Sequence, residues 1–140
     1  MRVLGIDYGR TRIGLALSDE DAVLASPLPP YASRRKDEAK IEHLARLIER
    51  EGVGRVVVGL PLHMNGSAGE MADEVTAFAE RLGARAGVPV DLLDERQTTA
   101  EANRILHEAR VPQKRRKHLR DGIAAVQILQ CYLDRAESGA

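Results

Sequence analysis

The stretch Arg2-Val3-Leu4-Gly5-Ile6-Asp7-Tyr8, continued after Gly9-Arg10-Thr11 by Arg12-Ile13-Gly14-Leu15-Ala16-Leu17-Ser18, decides the fold. Both runs are short, apolar or alternating, and the glycine-containing tripeptide between them is a turn, so two paired strands are expected over 2–8 and 12–18. A weaker third strand is expected near Val23-Leu24-Ala25. Pro27, Pro29 and Pro30 should close it, because proline cannot donate to a central ladder. Three strands joined by short turns form an antiparallel meander.

Downstream the period changes. Ile41, Leu44, Ala45 and Ile48 recur at helical spacing between Lys36 and Glu51, with Gly52 as the stop. Arg55-Val56-Val57-Val58-Gly59 is a short apolar run suited to a strand buried on both faces. Ala68, Met71, Ala72, Val75, Phe78, Ala79 and Leu82 mark a long amphipathic helix that ends near Gly83 and Gly87. Val88 to Leu93 leads into another strand. Thr98 and Glu101 form a capping box for a helix with Ala102, Ile105, Leu106 and Ala109 on its apolar face, broken at Val111-Pro112. A last helix is expected from Leu119 or Asp121 to Asp134, with Ile123, Val126, Leu129 and Leu133 inward. The order β-β-β-α-β-α-β-α-α predicts an α/β domain over residues 1–140. It should hold one five-stranded mixed sheet with helices on both faces, frayed only at Ser138-Gly139-Ala140.

The composition is that of a soluble globular chain: of 140 residues, 44% are hydrophobic and 30% charged, enough apolar material for a core. No apolar run approaches the ~18 residues of a membrane span. The run Val3 to Ile6 stops at Asp7 without a cleavage site, so no secretory signal is expected. Cys131 is the sole cysteine, which excludes an internal disulfide and multi-cysteine zinc frameworks. Its position on the last helix suits packing. A cytoplasmic protein is the natural expectation.

Three carboxylates stand out. Asp7 interrupts an apolar strand, where an ionised carboxylate costs several kcal/mol unless compensated. It either accepts hydrogen bonds from the following turn or faces a metal ion or phosphate. Asp94-Glu95-Arg96 follows a predicted strand at its C-terminal end, where ligands of open α/β sheets gather. Alternation sends Asp94 and Glu95 to opposite faces, so only one is expected in a site; the alternative is a solvated charge cluster. Asp121 near the start of the last helix has a structural reason in the helix dipole, about 0.3–1 kcal/mol. If Asp7, Glu95 and Asp121 converge, three hard carboxylates call for divalent cations, Mg²⁺ or Mn²⁺, as a pair of ions suited to phosphodiester cleavage. His43, His63, His107 and His118 are scattered and make no zinc set.

In sequence order, Gly5-Ile6-Asp7-Tyr8-Gly9-Arg10-Thr11-Arg12-Ile13-Gly14, Val58-Gly59-Leu60-Pro61-Leu62 with Asn65-Gly66, Asp94-Glu95-Arg96 with Thr98-Thr99, and Asp121 with Ala124-Ala125-Val126 resemble the YqgF family. These are RuvX-type proteins, provisionally assigned as pre-16S rRNA nucleases and as Holliday junction resolvases. The match spans residues 2 to 133. The resemblance implies an RNase H-like fold and a divalent-metal nuclease with Asp7, Glu95 and Asp121 at the acidic positions. The implied role is maturation of the 5′ end of 16S rRNA in the cytoplasm, RNA being expected over DNA, with a pre-ribosomal particle as partner. Branched DNA is the older suggestion. Gly122, where the family more often has Ala or Ser, puts the start of the last helix in question.

Lys+Arg and Asp+Glu both number 21, so the formal net charge is zero. The neutrality hides a segment, Arg110 to Arg120, that carries six basic residues and no acid, leaving 15 basic against 21 acidic residues elsewhere. Lys114, Arg115, Arg116 and Lys117 in it are candidates for phosphate contact, against the alternative of a solvated interhelical loop. His118 either assists a metal-bound water or belongs to that loop. Asn65, in the loop after the buried strand, and Arg96 are further substrate-binding candidates; a helix-capping turn and an ion pair to Asp94 are the alternatives. Aromatic residues are 3% of the chain, so base stacking is scarce and recognition through backbone phosphates is expected. Two other classes fit less well. A non-catalytic adaptor would lack a carboxylate, and an actin-like phosphotransferase needs two lobes that this length cannot supply.

Overall fold

The structure is a computed structural model that describes residues 1–63, 65–97 and 113–137, with side chains described from 1 to 96 (except 64) and from 123 to 136. The strands are β1 (Arg2–Asp7), β2 (Arg12–Ser18), β3 (Ala25–Ala32), β4 (Val53–Leu60) and β5 (Val90–Asp94). The helices are α1 (Asp37–Arg50), α2 (Glu70–Ala86) and α3 (Gln113–Glu137), with a 3₁₀ turn at Glu95–Gln97. The five strands form one sheet in the order β3-β2-β1-β4-β5. β1 pairs antiparallel with β2, β2 antiparallel with β3, β1 parallel with β4, and β4 parallel with β5. The mixed sheet is therefore as expected. The capping-box helix proposed for Thr98 to Ala109, and its break at Val111-Pro112, lie outside the described residues.

Alternation along the strands divides the interior in two. Leu4, Ile6, Val56 and Val58 face α1 and α2, where they meet Leu44, Ile48, Phe78 and Leu82. Val3, Ala16, Val57 and Leu93 face α3 and meet Ala125, Ile128, Leu129 and Leu133. Helices thus cover both faces, because every central strand is apolar on both sides. Cys131 is half-buried against the second cluster.

Two expectations are corrected. β3 does not end at the prolines but runs through Pro27, Pro29 and Pro30 to Ala32, with its register shifted between Ile13 and Leu15 of β2. It is the edge strand, so one row of its backbone groups faces solvent and needs no partner. The last helix starts at Gln113 rather than near Leu119 or Asp121. Residues 113–120 are thus helical and not an interhelical loop, and Gly122 lies inside the helix. The long basic side chains have good intrinsic helix propensity, and one glycine costs only about 1 kcal/mol in a helix packed this extensively downstream.

Candidate active site

Asp7 is the last residue of β1 and pairs with Gly14 of β2. It follows Val3 and Gly5 on the odd positions of the strand, which face α3. α3 reaches β1 through Gly5: a β-carbon there would stand 2.7 Å from Leu129 Cβ and 3.0 Å from the Ala125 carbonyl. Leu133 packs with Val3, so the helix runs antiparallel to β1, and its earlier turns continue toward Asp7. Asp121 lies one turn before Ala125 in that direction; its backbone is helical and its side chain lies outside the described residues. His118 precedes Asp121 by three residues in the same helix.

Glu95 comes to the same face from β5. Ile6 of β1 pairs with Val58 of β4, so Gly59 is the neighbour of Asp7, and Gly59 in turn pairs with Leu93. A β-carbon on Gly59 would stand 2.5 Å from Glu95 Oε1, 2.7 Å from Glu95 Cγ and 2.5 Å from Ile128 Cδ1. Glu95 therefore lies over the bare backbone of Gly59, one strand spacing (~4.8 Å) from the column of Asp7. The missing side chain is what admits the carboxylate beneath α3. The value of Gly59 was not read from the sequence, although a glycine ending an otherwise apolar strand is a sign of close approach. Among the described residues no group of three His, Cys, Asp or Glu is placed to hold a metal ion. Asp7 and Glu95 supply two oxygen-donor side chains on one face.

Asp94, the last residue of β5, is engaged by Arg96. Its carboxylate accepts from the Arg96 backbone N–H at 3.0 Å and from Arg96 Nε at 2.9 and 3.0 Å. Those hydrogen bonds hold the Asp94 carboxyl below its ordinary value and the Arg96 guanidinium above its own. The guanidinium Nη1 lies 3.4 Å from where a β-carbon of Gly66 would be, and Gly66 has φ +87°. Arg96 thus meets the loop that follows β4. Asn65 Oδ1 accepts from Ser67 N–H at 3.0 Å and Ser67 Oγ at 2.7 Å, which shapes the same loop. Neither Asn65 nor Ser67 caps α2; Gly69 does, with no side-chain hydrogen bond. Arg96 and Asn65 are therefore brought together beside the Glu95 strand end. Lys114, Arg115, Arg116 and Lys117 lie in the first turns of α3, with side chains outside the described residues.

The turn after Asp7 is anchored from below. Lys40 on α1 is 4% exposed, donates to the Arg10 carbonyl, and pairs with Asp37 at 3.5 Å. Tyr8 donates to Asp37 Oδ1 at 2.9 Å, and the Lys40 ammonium sits 5.6 Å from the Tyr8 ring centre. Burial and the neighbouring Asp37 carboxylate both raise the Tyr8 hydroxyl above its ordinary pKa. A buried ammonium needs such partners. Sequence reasoning missed this network because Lys40 sits among exposed-type residues of an amphipathic helix.

A family model described as RuvX, Holliday junction resolvase, matches residues 1–135. The chain belongs to the RuvX family. A relative from Moorella thermoacetica is 47% identical over 135 residues, covering 96% of each chain. One from Pelotomaculum thermopropionicum is 45% identical over 134 residues, covering 96% of this chain and 87% of that one. Both carry the provisional name pre-16S rRNA nuclease. Among solved structures, Thermus thermophilus RuvC in complex with a Holliday junction superposes with a TM-score of 0.64 at 20% identity, covering 100% of this chain and 98% of that one. The RuvX-family chain therefore has the RNase H-like fold that its motifs implied. No helix among its described residues is long and apolar enough to cross a membrane.

Proposed function

We propose that this chain is a divalent-metal-dependent phosphodiester hydrolase that processes the 5′ end of pre-16S rRNA in the cytoplasm. The observation that carries the reading is the seat of Glu95 over Gly59, beside Asp7 and on the same sheet face. The names of the relatives supply the substrate.

Asp7 and Glu95, with Asp121 as the third carboxylate, would hold Mg²⁺ or Mn²⁺, since an all-oxygen donor set without Cys or His suits these ions. Two such ions, held by these carboxylates, would supply activation of a water and stabilisation of the departing 3′-oxygen, chemistry that leaves a 5′-phosphate product. Asp7 sits at a strand end paired with Gly14, directly before the turn that Lys40 anchors at the Arg10 carbonyl. Arg96, oriented by Asp94, and Asn65 on the adjoining loop would receive a backbone phosphate beside the scissile one. Lys114, Arg115, Arg116 and Lys117 on α3 add positive charge ahead of Asp121 in the chain.

The test is cleavage of a tailed 16S rRNA precursor with Mg²⁺, Mn²⁺ or excess chelator. Asp7→Asn should lose at least about a hundredfold in rate, because even residues that only orient metal ligands cost 10–100-fold, and its melting temperature should match the parent's. Full activity in Asp7→Asn, or in chelator, sinks the proposal. A second reading, cleavage of branched DNA, is favoured by the description of the matching family model. A four-way DNA junction run in parallel decides between them. An RNA that is bound but never cut would instead support an adaptor.

A further inference from the structure

Among the described residues, many arginines are committed to carboxylates. Arg2, Arg10, Arg55, Arg81, Arg85 and Arg96 each lie within 3.1 Å of a carboxylate oxygen. Arg34, Arg35 and Lys36 differ. They are consecutive and exposed, and none makes an ion pair among the described residues. Glu38, two residues beyond Lys36, is already paired with Arg81 at 3.0 Å. Asp37 is engaged by Tyr8 and Lys40. Residues 22–36 contain no acid at all.

The fold puts this triplet at the active-site end of the sheet. Ala32 at the end of β3 pairs with Arg12 at the start of β2, and Ser33 N–H donates to the Thr11 carbonyl at 3.0 Å. Ser33 Oγ then accepts from Arg35 N–H at 3.1 Å, which shapes the segment before α1. The triplet thus borders the turn that follows Asp7, on the side away from Arg96 and β5. β3 lies two strand spacings from β1, ~10 Å.

We propose that Arg34, Arg35 and Lys36 form a second phosphate-binding surface, which holds the RNA backbone away from the scissile phosphate, on the opposite side of Asp7 from Arg96. Three neighbouring exposed cations without a carboxylate in ion-pair contact can neutralise phosphates without first breaking a close ion pair. The triplet contacts backbone only and carries no base specificity. This rests on the phosphodiester reading above.

The experiment compares the parent with Arg34→Ala/Arg35→Ala/Lys36→Ala and with the control Arg46→Ala/Arg85→Ala, whose arginines both pair with Glu42 of α1. Binding of the tailed rRNA precursor is measured across salt concentrations, and steady-state cleavage alongside. Loss of three phosphate contacts should lower the salt slope by about 2, at ~0.7 per contact on a single strand. That corresponds to binding about a hundredfold weaker at 0.1 M salt, vanishing near 1 M. KM should rise with kcat unchanged, and the control should keep the parental slope. A triple variant with the parental slope and KM overturns the surface while leaving the nuclease reading intact, as does a control that loses as much. A parent that neither binds nor cuts RNA overturns both.

Discussion

On the side of the sheet that faces α1 and α2, Leu4, Ile6, Val56 and Val58 are sealed from solvent against Phe78, Leu44 and Leu82. On the side that faces α3, the same strands present Gly5, Asp7, Val57 and Gly59. The first face is filled with large aliphatic side chains and the rings of Tyr8 and Phe78. The second gives up that volume at two glycines, so that α3 sits on the backbone at Gly5 and Glu95 lies on the backbone at Gly59. Burial of large side chains is what stabilises the domain, at roughly 1.5–3 kcal/mol for each residue. Closeness of backbone and carboxylates is what a site for phosphate chemistry needs. Period-two alternation lets one set of strands serve both ends.

The comparison breaks if stability and activity do not separate by face. The largest effect is expected from Phe78→Ala, which empties a fully buried position beside the Tyr8 ring, 4.5 Å away between centroids. It should cost about 3–5 kcal/mol in urea unfolding, with the cleavage rate per folded molecule little changed. Gly59→Ala probes the other face. Its new β-carbon would collide with Glu95 and Ile128, so Glu95 must move. The cleavage rate should fall about tenfold or more, while stability drops by about 1–3 kcal/mol, the range for overpacking. Parental activity in Gly59→Ala would mean that the seat of Glu95 is irrelevant to catalysis.

The smallest effect sharpens the contrast between the two neighbouring acids. Asp94, held below its ordinary value by Arg96, should titrate by NMR below ~3.9, and Arg96→Gln should move it back up. The sign follows: the pair's contribution to stability is present above the unfolded-state value and is lost as pH falls through the lowered one. Asp94 is partly exposed and its pair with Arg96 lies at the surface, so the visible change is in the titration and not in the melting temperature.

Much of this was legible in the chain itself. Helix α1 and strand β4 follow from spacing, and the strand-end position of Asp94 follows from the apolar run before it. The prolines of β3 misled because a sequence does not say which strand lies at an edge. The start of α3 misled because a run of like charges reads as a solvated loop, and only its packed C-terminal half makes the helix worth extending. The Lys40 network was invisible because its partners come from the turn after β1 and from α1. The triplet Arg34-Arg35-Lys36 looked ordinary beside the longer basic run.

By itself the sequence determined the α/β order, the two apolar faces and the residue types available to the site, because these depend on periodicities and chemistry local to each segment. Only the tertiary structure decided which residues meet. Gly59 becomes the seat of Glu95 through the pairing of three strands, and Arg34 to Lys36 come to border Asp7 through a meander that returns to the same sheet end. Both are contacts between residues far apart in the chain, and strand order and register alone bring them together.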